Sequence, residues 1–300
     1  MIRVRMPTLS RPPISNQYKP SVSLLAMDFS DSVVSAQPAS PQSDWITFKD
    51  ITGAPAGTGI FYEAGTAADR GAFIAPDPTD PTDSVLYFYI QNPVVPDGRG
   101  KFKARVQMGF TNISLDEIFI RYRMYLSPNF ELVKYWPESN AVYALGELWL
   151  GEAWNGHPFP ARIKVTLSKL TIVGKQALYL AAGLSKFIGG DPKFGVYEGV
   201  WGVVNYGYEM PVEEWVDIQI GYKMGDARGG RFYLGAKRGR ETLYTTIADV
   251  NYWTYNPDSP APVPLVNLQI PKLYMRGSLV EYARPLTVGF DNLQFFQTWT

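Results

Sequence analysis

The chain contains no cysteine, which excludes disulfides, thiolate metal sites and a cysteine nucleophile. Histidine occurs once, at His157, so any histidine-dependent mechanism has a single residue to use. Net charge is absent as well: 28 basic residues balance 28 acidic ones, and charged residues make up 19% of the 300. That balance argues against a broad electrostatic footprint and against a nucleic-acid partner. No apolar run reaches the roughly 20 residues that a membrane-spanning helix needs. The N-terminus also lacks the apolar stretch of a signal peptide.

What is abundant points to β-structure. Aromatic residues reach 14%, with 19 Tyr, 16 Phe and 8 Trp, and 27 Gly and 24 Pro supply turn formers. Aromatic side chains suit a pleated, half-buried surface, and Gly and Pro suit the connections, so the composition fits an all-β sandwich or barrel. The hydrophobic fraction of 46% supports a substantial core.

The clearest alternation lies between Arg162 and Ser168. Ile163, Val165 and Leu167 fall on one face, and Arg162, Lys164, Thr166 and Ser168 on the other, as in a half-buried antiparallel strand. Residues 117–126 repeat the pattern, with Ile118, Ile120, Tyr122, Met124 and Leu126 opposite Phe119, Arg121, Arg123 and Tyr125. Further strands are expected over 24–29, 45–48, 59–62, 85–90, 101–108, 178–182, 215–223, 230–236, 243–248 and 286–296, with 85–90 buried on both faces. Residues 77–83 (DPTDPTD) read as a turn-rich loop, 201–208 and 251–255 as loops, and 225–230 as a hairpin turn. The best helix candidate is a turn at Pro211–Trp215.

Residues 1–21 differ from the rest. Arg3, Arg5, Arg11 and Lys19 accompany four prolines among the first twenty residues, with no acidic residue. Such a segment builds no core and reads as an extended arm, suited to docking on a larger protein assembly. Residues 22–300 then form a single β-sandwich domain with no internal repeat or linker.

Six segments in order, GAFIAPDPTDPTDSVLYFYI, EIFIRYRMYLSPNFELV, GELWLGEAW, EEWVDIQIGYKMGDARGGRFYLGA, PKLYMRGS and VGFDNLQFF, resemble the concanavalin A-like jelly-roll superfamily. The likeness is to its polysaccharide-lyase-like and laminin-G-like lectin branch. It implies two curved antiparallel sheets with a concave face that receives an extended glycan, and calcium is common in that superfamily. Asp28 near the first strand and Asp291-Asn292 near the last offer oxygen ligands that suit a structural Ca²⁺ if the terminal strands pair.

The chain departs from the enzymes of that superfamily. Related glucuronan- and alginate-type lyases carry a Lys-Leu-Pro-Gly-Leu-like strand where residues 138–145 read ESNAVYAL. Laminarinase-like glycosidases use Glu-x-Asp-x-x-Glu, whereas here Glu147 and Glu152 stand alone, on opposite faces of a regular strand. Retaining hydrolysis needs carboxyls about 5 Å apart, so hydrolysis fits poorly.

A β-eliminating lyase needs a cation for the uronate, a base for its C5 proton and an acid for the leaving oxygen. Arg121, Arg123, Tyr125, His157 and Lys164 supply those types, with Arg162, Tyr274 and Arg276 as further candidates. The bland alternative is solvated or cross-strand paired side chains. Glycan binding asks only for aromatic platforms beside polar groups, and Trp149, Trp154, Asn155, His157, Tyr206 and Trp253 are the candidates, with Tyr208 and Tyr255 as further rings. The resulting expectation is a non-catalytic, lectin-like jelly roll for surface display or glycan attachment, such as a phage virion decoration or fibre protein docked through its arm. It places the chain on a virion surface or outside the cell. The alternative is a secreted polysaccharide lyase acting on a uronic-acid glycan.

Overall fold

Alternating apolar and polar residues leave one face of a strand to bury and the other to expose, and two sheets that share their apolar faces satisfy both. The computed structural model shows this arrangement. It describes residues 23–27, 29, 45–46, 59–63, 66–92, 103–137, 142–152, 155–172, 174–190 and 196–298. The expected arm, with Arg3, Arg5, Arg11 and Lys19, lies outside the described residues.

Along the chain run β1 (Ser23–Met27), β2 (Trp45–Ile46), β3 (Gly59–Glu63), β4 (Arg70–Pro76), β5 (Ser84–Ile90), β6 (Lys103–Leu115) and β7 (Glu117–Leu126). A short helix α1 (Phe130–Val133) precedes β8 (Val142–Leu150), β9 (Ala161–Ile172), β10 (Lys175–Gly189) and β11 (Val196–Glu209). Then come β12 (Trp215–Lys223), β13 (Arg231–Arg238), β14 (Thr245–Asn251), β15 (Leu265–Arg276), α2 (Gly277–Ala283) and β16 (Leu286–Phe296). The first sheet has the order β14-β13-β12-β7-β16-β5-β4, with β1 paired to β16; the second is β11-β10-β9-β8-β15-β6-β3-β2. Every pairing is antiparallel. The result is a two-sheet antiparallel jelly-roll sandwich.

One apolar core fills the space between the sheets. Ile120, Met124, Ile220 and Val288 enter it from the first sheet, and Leu148, Ile163, Val165, Leu167, Leu178 and Leu268 from the second. Burying each such side chain contributes roughly 1.5–3 kcal/mol. Ile120, Met124, Ile163, Val165 and Leu167 are residues that the alternation placed on one face, and their neighbours in sequence point outward from the sandwich.

Several local expectations change. Residues 201–208 belong to the edge strand β11, and β4 and β15 are strands that the sequence pattern did not declare. The helical turn expected at Pro211–Trp215 does not form: Glu213 has φ of 60°, which stops a right-handed turn, and β12 begins at Trp215. The helices are instead α1, at the SPNF turn, and α2. The DPTDPTD segment is a pair of successive turns. Asp77 Oδ1 accepts from the backbone and hydroxyl of Thr79 at 2.6 and 2.7 Å, and Asp80 Oδ1 accepts from Thr82 at 3.1 and 2.7 Å.

Candidate active site on the outward face of the second sheet

Strand register builds the site. Lys164 of β9 stands between Glu147 of β8 and Gly183 of β10. One row along, Arg162 stands between Trp149 and Ser185. On the far side of β8, Gln269 and Asn267 of β15 pair with Glu147 and Trp149. These side chains alternate with core residues Ile163, Val165, Leu148 and Leu268, so period 2 directs them all outward.

A bulge completes the set. Gln269 and Lys272 are three residues apart and would face opposite sides of a regular strand. The β15–β6 register skips between them, from Gln269↔Gly109 to Lys272↔Gln107, and this extra residue rephases the strand. Lys272 Nζ therefore lies 2.7 Å from Gln269 Oε1 and 2.7 Å from Glu147 Oε2. Both members of the ion pair are almost fully buried, Lys272 at 1% exposure and Glu147 at 3%.

Two further cations lie around that pair. Arg162 Nη1 lies 3.8 Å from Glu147 Oε1, and Lys164 adjoins both Arg162 and Glu147. Among the described residues, three cations thus gather at the Glu147 carboxylate. Aromatic rings enclose the cluster. The Arg162 guanidinium carbon is 4.2 Å from the Tyr197 ring and 5.1 Å from that of Trp149, the two rings meet edge-on at 6.3 Å, and Lys272 Nζ lies 5.2 Å from the Tyr274 ring. Burial and then the neighbouring Arg162 push the Lys164 ammonium below the ordinary lysine range, against the pull of Glu147. Burial pushes the Tyr197 phenol up, against the pull of Arg162. The site thus holds a lysine eased toward its neutral form and a tyrosine held in its protonated form.

The residues expected for a lyase are not brought together. Lys164 lies in this cluster. Arg121, Arg123 and Tyr125 lie on β7, on the outward face of the other sheet, with the core between them and Lys164. There Arg123 bridges Asp291 at 2.9 Å and Asp77 at 3.3 Å, 4.5 Å from the Trp215 ring, and Tyr125 packs with Trp215. His157 sits in the β8–β9 loop against Gly151. Its Nδ1 accepts from the Phe159 amide at 3.1 Å, so the neutral ring carries its proton on Nε2, and burial pushes its pKa down.

The glycan candidates also divide. Trp149 is in the cluster, nearly buried. Tyr206 on β11 is 57% exposed, with its ring edge-on to Tyr179 at 5.8 Å. Trp253 packs against the core and its carbonyl accepts from Trp201 Nε1 at 2.8 Å. Tyr208 and Tyr255 are core residues. Asn155 hydrogen-bonds Glu152 in the loop beyond β8. Trp154 lies outside the described residues. Among the further candidates, Tyr274 borders the cluster and Arg276 is exposed at the end of β15.

Glu152 does not continue the strand of Glu147. Gly151, with φ of 69°, ends β8, and Glu152 Oε1 accepts from Asn267 Nδ2 at 2.7 Å. The terminal strands do pair, Met27 with Leu293, but Asp28 lies outside the described residues and Asp291 accepts from Arg123 and Asn292. Among the described residues no group of three or more His, Asp or Glu is placed to hold a metal, and no helix is long and apolar enough to cross a membrane.

Sequence reasoning missed Gln269, Lys272 and Tyr197. The first two sit on β15, whose Pro271 disguises a strand, and Tyr197 precedes a Gly-rich stretch that reads as loop. The alternation of Asn267 and Gln269 with Leu268 and Ile270 was the available signal.

No protein-family model and no curated relative matches the chain. Solved structures do. An alginate lyase in complex with an alginate tetrasaccharide is 10% identical with a TM-score of 0.49, covering 92% of this chain and 98% of that one. The PL-14 alginate lyase from Aplysia kurodai is 12% identical with a TM-score of 0.46, covering 92% and 100%. The endo-β-1,4-glucuronan lyase from the fungus Trichoderma reesei is 11% identical with a TM-score of 0.45, covering 76% and 87%. At such identities the likeness concerns the fold. The expectation of a non-catalytic virion decoration or fibre protein is corrected here: the three structures just named are polysaccharide lyases.

Proposed function

We propose that this chain is a polysaccharide lyase of the concanavalin A-like jelly-roll type, cleaving a uronic-acid glycan by β-elimination on the outward face of its second sheet. One observation carries the reading: among the described residues, Arg162, Lys164 and Lys272 gather around the buried carboxylate of Glu147, beside the rings of Trp149, Tyr197 and Tyr274. A surplus of positive charge in a low-dielectric setting selects an anionic sugar, and the rings give its faces something flat to lie on.

The chemistry divides among the residues. Arg162 meets the uronate carboxylate, which draws charge from C5 and acidifies its proton. Lys164, in its neutral form, takes that proton. The C5 electron pair forms the C4=C5 double bond as the C4–O bond breaks, and Tyr197 donates its phenolic proton to the departing oxygen. Environments that push a base down and an acid up suit this division. Lys272 and Glu147 hold each other and fix the position of Arg162.

Alginate, glucuronan and a neutral glucan, each incubated with the protein, provide the test. A rise in ultraviolet absorbance from unsaturated ends on an acidic polymer, with none on the glucan, is the expected result. No unsaturated product on any acidic polymer would refute the reading.

A further inference from the structure

A recess lies on the opposite side of the sandwich from that cluster. A cavity of about 210 Å³ opens on the outward face of the first sheet, lined by Arg121, Arg123, Asp217, Tyr244, Asn292 and Gln294. A bulge in β16 shapes it. The β16–β7 register skips from Asp291↔Arg123 to Gln294↔Arg121, so two residues of β16 oppose Tyr122 alone. Within that bulge Asn292 adopts φ of 50°, a left-handed conformation that a non-glycine residue takes at some cost. The distortion turns the Asn292 side chain outward, where it is exposed and its amide donates to Asp291 at 2.7 Å.

The groups around the recess are those that recognise a sugar acid. The Arg121 guanidinium carbon lies 5.2 Å from the Phe119 ring and 5.8 Å from that of Phe296, contacts that hold its planar fork in place. Such a fork matches a carboxylate with two parallel hydrogen bonds. Gln294, paired with Arg121 across the strands, and Asn292 carry amides that both donate to and accept from ring hydroxyls. Tyr244, partly exposed, gives a flat wall, backed by Lys237 Nζ at 5.3 Å from its ring and at 2.9 Å from Asp217.

We infer that the outward face of the first sheet binds a uronate unit of an acidic polysaccharide through Arg121, Asn292, Gln294 and Tyr244, as a second, non-cleaving site. The inference rests on the lyase reading only for the class of glycan. A protein that grips the polymer on both sides of the sandwich stays with it between cleavages.

Calorimetric titration of the Lys164→Ala protein with a hexameric oligomannuronate tests it. Two equivalents bound per chain are expected, falling to one when Arg121→Ala is added and also to one when Arg162→Ala is added instead. Loss with Arg162→Ala but none with Arg121→Ala overturns this inference and leaves the lyase site intact. Loss with Arg121→Ala but none with Arg162→Ala sustains it and overturns the second-sheet site instead. Should Arg121→Ala fail to fold, Gln294→Ala takes its place: a weakened or lost second equivalent supports the inference, and an unchanged isotherm contradicts it.

Discussion

Strands β7 and β9 carry the same alternation of cations, Arg121 and Arg123 on one, Arg162 and Lys164 on the other, yet the two sheets surround them differently. Arg123 is matched by the buried carboxylates of Asp77 and Asp291, and its guanidinium lies against Trp215. Arg162 and Lys164 share one carboxylate, Glu147, with Lys272. The first arrangement ties the 77–83 turn to β16. The second gathers positive charge beside rings and eases a lysine toward neutrality. Basic residues at the same spacing thus form a structural clamp at Arg123 and, on the proposed reading, chemical groups at Arg162 and Lys164, and the deciding factor is how many carboxylates the long-range partners contribute.

Removing Lys164 should break the comparison most sharply. Lys164→Ala should lower kcat on an acidic polymer by about 10²–10⁴-fold, the usual worth of a positioned base, as read from initial rates of unsaturated product. Next in size is Glu147→Gln, which leaves the buried Lys272 ammonium without its counter-charge. It should cost about 3–5 kcal/mol in urea unfolding. Replacing the pair together, Glu147→Leu with Lys272→Met, should cost less than Glu147→Gln alone. On the other sheet Arg123→Ala strands two carboxylates. The loss should be about 3 kcal/mol, toward the low end for buried pairs because the guanidinium remains partly exposed, measured in the same unfolding experiment.

Acid should separate the faces further. Burial alone would raise the Asp77 carboxyl, but hydrogen bonds from Thr79 and Trp215 and the charge of Arg123 hold it below its ordinary range. A carboxyl depressed on folding stabilises above its unfolded pKa of about 4 and loses that contribution as pH falls through the folded value. Asp77→Asn should therefore flatten the acid limb of stability against pH. The face proposed to be catalytic responds at the other end. Since Lys164 titrates below the ordinary lysine value of about 10.4, kcat/KM should rise with pH along a limb below that value, and Lys164→Arg should abolish the limb with the activity. The smallest effect concerns the rim. Tyr206→Ala removes an exposed ring and should raise KM about 2–10-fold, the worth of one aromatic contact, with kcat unchanged.

Much of the fold was legible because burial follows alternation. Glu117–Leu126, Trp215–Lys223 and Leu286–Phe296 are strands over the spans that their sequences suggest, and the apolar members of each line the core. Strands escaped where the local signal was broken. β15 carries Pro271 at a bulge, and β11 contains Gly199, Gly202 and Gly207 on an edge that is largely exposed. The site was half legible for a related reason. Period 2 shows that Arg162 and Lys164 share a face, as do Arg121 and Arg123, but no local pattern says which sheet a strand joins. That Lys272 meets Glu147, 125 residues away, depends on the register of β8 with β15 and on one extra residue in β15.

The central claim is that an unbalanced cation cluster on the second sheet performs β-elimination. The most direct measurement follows the absorbance of unsaturated uronate ends with wild type and Lys164→Ala on the same acidic polymer, with equal folding of the two shown by circular dichroism. The account predicts steady product from the wild type and almost none from the variant. Equal rates from both, or product from neither, would contradict it.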